Sequence, residues 1–424
     1  MTLTGPGSHV NLAARQLGAG VVAASDELFG EKEDLLRPGP PGHRPHTFGH
    51  KGQLVDGWET RRRRGPGQDY ALIRLGAPGV IRAVDVDTAH FTGNFPAECS
   101  VEACAAEGYP SPDELLGPAA AWAQIVPRSA LAGDCQNSFA VTDPRRFTHV
   151  RLSIYPDGGV ARLRVAGEIV PDPRLLDGLP LDLVALENGG TVVAASDRFY
   201  SPPENMIAPG RAAVMGDGWE TRRRRDTGHD WVLFRLAETG YIRQAVVDTS
   251  CFLGNAPATA GLRGCDAGGT GLGGTSLDGT SQHGTSQHGT SQHGADWSDL
   301  LPQTPLQPDT RHRFGARQAP ERPVTHVRLE IHPDGGLARL RLFGVLTPGG
   351  RARLGLRWFD LLPAGQAHAV LAAGCGLPGP LAEGLAGRRP YERPDRLRAL
   401  LSGGELAGLD DAAAGRVRGL ILGG

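Results

Sequence analysis

A carboxylate followed by a run of guanidiniums occurs twice in this chain: DGWETRRRR stands at 56–64 and again at 217–225. Guanidinium is a planar fork that meets a carboxylate through two parallel hydrogen bonds. A loop carrying several arginines beside Asp and Glu therefore suits a small, polar substrate that bears a carboxylate. The carboxyl groups of Asp56, Glu59 and Asp87, with their counterparts Asp217, Glu220 and Asp248, are candidates for giving or taking a proton. If 59–64 is extended, Glu59, Arg61 and Arg63 face one side while Thr60, Arg62 and Arg64 face the other. One side could then present a carboxylate and guanidiniums to a cleft. The competing structural reading is that Glu59 pairs with an arginine and ties down a loop.

Other polar residues carry two readings as well. Asp87 follows a strand that ends at Val86, a natural place for loop-end function, and an Asx-type turn is the alternative. Asn94 and Asn255 sit in Gly-Asn-x-Pro, where a turn role competes with ligand contact. Asp26 and Asp197, in Ala-Ser-Asp, could cap a turn. His229 is the most attractive histidine, yet Gln68 occupies its place in the first copy, so it serves one copy at most. No GxSxG elbow, HExxH or Walker loop is present. No metal ligands are assigned, which leaves room only for a weakly held divalent ion.

The flanks of DGWETRRRR repeat too. VVAASDELF (21–29) returns as VVAASDRFY (192–200), VDTAHFTGNFPA (86–97) as VDTSCFLGNAPA (247–258), and THVRLSIYPDGGVARLRV (148–165) as THVRLEIHPDGGLARLRL (325–342). The protein is a tandem duplication of one domain. Between matched blocks, the second copy shortens the stretch 40–55 to 211–216, and it carries the added tract GGTGLGGTSLDGTSQHGTSQHGTSQHG. Insertions that spare the flanking pattern belong in surface loops, and this tract, about 266–296, is low-complexity and expected to be disordered. Its His283, His288 and His293 have no spacing that defines a ligand geometry.

The elements that must position these groups read as strands. In His149–Tyr155, Val150, Leu152 and Ile154 alternate with Arg151, Ser153 and Tyr155. Pro-Asp-Gly-Gly then supplies a turn, and 160–165 returns as a partner strand. Tyr70–Leu75, a turn at 77–79 and Val80–Val86 read as two more strands, matched by 231–236 and 241–247. Short strands with frequent Gly and Pro predict a mainly β protein, an antiparallel sandwich in each copy, similar to the galactose-binding-like jelly rolls whose end loops form the ligand site. The expected domains are 9–175, 176–350 and a short helical tail, 351–424, with helical stretches at 364–373 and 396–401. Lys and Arg number 44 against 46 acidic residues, so nothing favours a polyanionic partner such as nucleic acid. No apolar run suits a membrane and no leader opens the chain. Six cysteines without CxxC spacing suggest a cytoplasmic protein with reduced thiols.

NLAARQLG, VVAASDELFG, DGWETRRRR, IRAVDVDTAHFTGN and their second copies resemble the allantoicase family over about 9–360. The resemblance implies hydrolysis of allantoate to ureidoglycolate and urea in purine catabolism, a jelly roll in each repeat, and a homo-oligomer. In that setting Arg61 and Arg62, or Arg222 and Arg223, clamp the substrate carboxylate. Glu59 or Glu220 protonates the departing urea nitrogen, and Asp87 or Asp248 activates water. One departure is Val246, where the first copy has Asp85. The tail, DLLPAGQAHAVLAAGCG and LAEGLAGRRPYERPDRLRALL, resembles the opening of the helical decarboxylase that acts on oxo-hydroxy-carboxy-ureidoimidazoline. That family's His-Pro motif is absent, so the tail reads as a truncated or degenerate domain without activity. The rival to an enzyme is a pair of jelly rolls that bind a small ligand or carbohydrate without reaction.

Overall fold

The computed structural model describes residues 9–43, 46–268, 296–316, 322–403 and 408–423. The tract with His283, His288 and His293 lies outside them. The chain divides into two compact units: the residues up to Arg174 with those from Ala352 onward, and Leu175–Arg351.

The first unit contains β1 (Val10–Asn11), β2 (Gly20–Ala24), the small hairpin β3 (Phe48–Gly49) and β4 (Gly52–Gln53), and β5 (Trp58–Glu59). Then come β6 (Asp69–Asp87), β7 (Glu98–Cys104), α1 (Pro112–Leu116), β8 (Trp122–Ala130), β9 (Gln136–Ala140), β10 (Arg146–Tyr155), β11 (Gly159–Val160) and β12 (Arg162–Ile169). The stretch expected as two strands and a turn is a single 19-residue strand, β6. Gly76-Ala77-Pro78-Gly79 bends that strand without reversing it. At Gly76 a side chain would lie 2.5 Å from Leu17, and at Gly79 it would lie 2.2 Å from the Glu168 carbonyl, so both glycines allow close approach. The first half of β6 pairs with β2 and β10, and the second half with β9 and β12. A strand that changes layer in this way turns the corner of a two-layered sandwich.

The expected hairpin across Pro-Asp-Gly-Gly is also corrected. β10 pairs with β6 and β7, whereas β12 pairs with β6 and β1. The Pro156–Gly159 segment therefore crosses between layers, and β11 seats itself on β5. Val84, Val86, Val150, Leu152, Ile154, Leu163 and Val165 are fully buried between the layers, as the alternation requires.

The second unit repeats the plan with β13 (Leu181–Asp182), β14 (Thr191–Ala195), β15 (Trp219–Glu220), β16 (Asp230–Asp248), β17 (Thr259–Cys265), β18 (Ser298–Pro305), β19 (Arg311–Gly315), β20 (Val324–His332), β21 (Gly336–Leu337) and β22 (Arg339–Leu346). Its sheet order matches strand for strand. Each repeat is a jelly roll.

The helical tail comprises α2 (Pro348–Leu361), α3 (Ala364–Ala369), α4 (Gly379–Gly387), α5 (Pro394–Ser402) and α6 (Asp411–Leu422). From Ala352 it packs against the first repeat. Leu356, Trp358 and Phe359 share an apolar cluster with Val80 and Val170. The Arg174 guanidinium lies 4.6 Å from the Trp358 ring, and Arg357 pairs with Glu168 at 2.7 Å. Among the described residues, no helix is long and apolar enough to cross a membrane.

Candidate active site

Most of DGWETRRRR is architecture. Gly57 has no room for a side chain, because a Cβ would sit 2.7 Å from the Val160 carbonyl. Trp58 is fully buried and donates its indole N–H to the Asp26 carbonyl at 2.7 Å. The Glu59 backbone bridges Gly30 on one side and Gly159 on the other. Thr60 is buried and its N–H donates to the Gly158 carbonyl. The N–H groups of Arg61 and Arg63 donate to the carboxylates of Asp26 and Asp157, both at 2.7 Å. Those two side chains then pair with Asp26 and Asp69. The strand therefore stops at Glu59 instead of alternating to 64, since carboxylates from distant loops take the backbone donors. What remains for chemistry is the Glu59 carboxyl group and Arg62; Arg62 and Arg64 are both exposed and form no ion pair among the described residues, but only Arg62 lines a cavity.

Three neighbouring cavities lie in the first repeat, of about 500, 580 and 260 Å3, and Glu59 lines the first and the third. The first is lined by Glu59, Asn94, Lys51, His43 and His90 among others, and the third by Glu59, Arg62 and Asn94 with the Pro156–Gly158 turn. Asn94 donates its side-chain amide to Glu59 Oε1 at 2.7 Å. Burial pushes the Glu59 carboxyl above the ordinary range, and the Asn94 hydrogen bond only partly opposes it. A half-buried carboxyl held toward its protonated form is suited to proton donation. Asn94 is itself fixed, because its carbonyl accepts from Gly159 N–H at 2.8 Å. The glycine pair is required there: Gly158 has φ of +139°, and a Cβ on Gly159 would lie 2.0 Å from Phe91.

His90 adopts a left-handed backbone, φ +69°, which is uncommon for a residue with a Cβ. The Asp134 carboxylate holds it by accepting its N–H at 2.7 Å. Its ring faces that of His43, with centroids 5.0 Å apart. Lys51 reaches into the same cavity while donating to the Glu27 carbonyl at 3.1 Å and to Glu31.

The other expected residues divide clearly. Asp56 is a clamp for its own loop: it receives two 2.9 Å hydrogen bonds from Arg162, one of 2.9 Å from Arg37 and one of 2.7 Å from Gly42 N–H. Burial raises its carboxyl, but the Arg162 bonds and the remaining donors outweigh this and hold it below the ordinary range. Asp87 accepts from Ala89 N–H at 2.8 Å, forming the Asx-type turn, and lines none of the three cavities. Asp26 and Asp197 do likewise for Leu28 and Phe199.

In the second repeat the floor survives and the walls differ. Asn255 donates to Glu220 at 2.6 Å, and Trp219 to the Asp197 carbonyl at 2.9 Å. Arg222 is drawn to Asp197 at 3.0 Å and lies over Phe199. Arg223 is exposed. Asp248 is buried and accepts from Ser250 N–H. Asp217 accepts the N–H groups of Ala213 and Val214. Cys251 stands in place of His90, and the short loop puts Met215 Sδ 3.7 Å from the Asn255 amide, with no counterpart of Lys51 or His43. His229 is remote from Glu220 in role: its ring stacks on His332 at 4.4 Å.

Sequence reading did not single out His43, Lys51 or His90. The available signal was asymmetry, since Lys51 and His43 lie in the segment that only the first copy has, and His90 is a cysteine in the second.

Both repeats match one family model, described as the allantoicase repeat, over 10–170 and 181–347. A protein of Streptomyces coelicolor named a probable allantoicase is 49% identical over 365 residues, spanning 83% of this chain and 90% of its own. One of Nocardia farcinica with the same name is 51% identical over 337 residues, spanning 79% and 94%. Among solved structures, the crystal structure of allantoicase from Saccharomyces cerevisiae aligns with a TM-score of 0.64 at 31% identity. That alignment covers 79% of this chain and 93% of the yeast chain.

Proposed function

The chain belongs to the allantoicase family, and on that premise we propose that it hydrolyses allantoate to ureidoglycolate and urea within the first repeat. The observation that carries this placement is the desolvated Glu59, tied to Asn94, in a cavity that also holds a lysine and two imidazoles. Allantoate is a carboxylate whose central carbon bears two ureido nitrogens. Arg62, on the third cavity, receives the carboxylate through its fork, and Lys51 adds positive charge to the first cavity, which Glu59 also lines. Glu59, protonated, passes its proton to the departing ureido nitrogen as the C–N bond breaks. His90 takes a proton from the water whose oxygen bonds to the central carbon, the general-base role that an imidazole can fill. Urea leaves, ureidoglycolate remains, and solvent returns the proton from the imidazolium to Glu59. Asp87 serves the step by fixing the turn that presents His90. Its counterpart Asp248, with Glu220, Arg222 and Asn255, makes hydrogen bonds that hold the loops of the second repeat, and Arg223 stays exposed.

Six unpaired cysteines suit a reducing, cytoplasmic setting. Purified protein incubated with allantoate is expected to release one urea per ureidoglycolate formed. Saturable binding of allantoate without urea release would instead favour the pair of jelly rolls as a non-catalytic ligand-binding module.

A further inference from the structure

We propose that the second repeat carries a divalent transition-metal site built from His229, Glu330 and His332. The inference is independent of the chemistry assigned to the first repeat. Register brings the three together: Asp230 lies opposite Ile331 and Trp231 opposite Glu330, so His229, one residue before β16, stands across from His332. Glu330 is two residues from His332 on the same strand and therefore on the same face. One ligand atom from each of the three lies within 4.8 Å of the others. His229 Nε2 is buried, makes no hydrogen bond, and sits 3.8 Å from Glu330 Oε1. An orphaned buried ring nitrogen beside a carboxylate and a second imidazole is what a ligand set looks like before metal arrives.

The duplication supplies an internal control. The equivalent positions of the first repeat are Gln68, Ser153 and Tyr155, which satisfy one another and their neighbours: Gln68 donates to Ser153 Oγ at 3.5 Å, and the Tyr155 hydroxyl meets Ser100 Oγ at 3.0 Å. All three positions are metal-ligating types in the second repeat. Gly261 replaces Ser100 there, opposite Glu330 in the register. A Cβ on Gly261 would meet nothing nearer than 3.5 Å, so packing does not demand the glycine, and its effect is to clear space beside the carboxylate. Arg328 pairs with Glu330 at 3.0 Å while lying over the Trp231 ring. Such a neighbour orients a ligating carboxylate. Two imidazoles and one carboxylate leave further positions for water and suit Zn2+, Co2+ or Ni2+ over Mg2+ or Ca2+.

The test is zinc titration of the full chain by calorimetry, with the loop histidines removed as H283A/H288A/H293A so that the TSQHG tract cannot contribute. One equivalent of Zn2+ should bind this parent and raise its unfolding temperature. Installing the first repeat's own residues, H229Q/E330S/H332Y, should abolish that binding. The isosteric E330Q, which preserves packing, should weaken it at least about tenfold. Unchanged zinc binding in both variants, or no zinc uptake by the parent, would overturn the proposal.

Discussion

Glu59 and Arg62 both line the third cavity, and neither forms an ion pair among the described residues. Arg61 and Arg63 are spent on Asp26 and Asp69, Thr60 on Gly158, and Trp58 on the core. The chemistry of the motif was legible in its residue types, since guanidinium beside carboxyl predicts a carboxylate ligand. Which guanidinium faces the cavity was not legible. Alternation along an extended strand put Arg61 with Glu59, and that alternation fails because Asp26 and Asp157 capture backbone donors from distant loops. The assignment has a direct consequence for kinetics. Arg62→Gln should raise KM for allantoate about tenfold to a hundredfold with a smaller effect on kcat, as loss of a binding contact does. Arg61→Gln, at a side chain 67% exposed and engaged with Asp26, should change both by no more than about twofold. Steady-state urea release from the two variants separates them.

The strands were legible element by element, and their partners were not. A period of two identifies a half-buried strand, but pairing depends on contacts distant in sequence. Pro-Asp-Gly-Gly has the composition of a hairpin turn, yet β10 and β12 each find their place on β6. The same strand pattern buries His149 and His326 on equivalent positions of β10 and β20, each ring nitrogen meeting the preceding threonine hydroxyl at 2.8 and 3.0 Å. Burial, with Arg74 and Arg235 nearby, pushes both imidazoles down to about 4. In the unfolded chain they titrate near 6.5. The unfolded state therefore binds more protons between those values, and the stability each neutral imidazole carries is present above about pH 6.5 and lost as pH falls through about 4. The stake is about 3 kcal/mol per histidine. Denaturant unfolding from pH 7 to pH 4 should show falling stability, with a shallower slope in H149Q and H326Q than in the parent. An identical slope would remove these residues from the acid response.

At the scale of the molecule, the two repeats share a scaffold and differ in the loops around it. Each repeat retains the buried tryptophan, the Glu–Asn hydrogen bond and the close-packed glycine pair, at Gly159 and again at Gly336, where a Cβ would lie 1.9 Å from Phe252. The first repeat alone adds the 40–55 loop with His43 and Lys51, and His90 beyond it. The repeat itself was legible because identical blocks recur in one chain. The difference between the two sets of walls was harder to read, because identical motifs hid differences in the loops around them. The tail's helices were partly legible from their Ala and Leu content, whereas their docking on Val80 and Val170 has no sequence signature. The most direct measurement compares urea release from allantoate by Glu59→Gln and Glu220→Gln, each with its unfolding curve checked against the parent. Glu59→Gln should lower kcat by about 10²–10⁴-fold, the usual worth of a general acid, while Glu220→Gln stays within about twofold. Equal losses in both variants, or loss in Glu220→Gln alone, would contradict a catalytic first repeat.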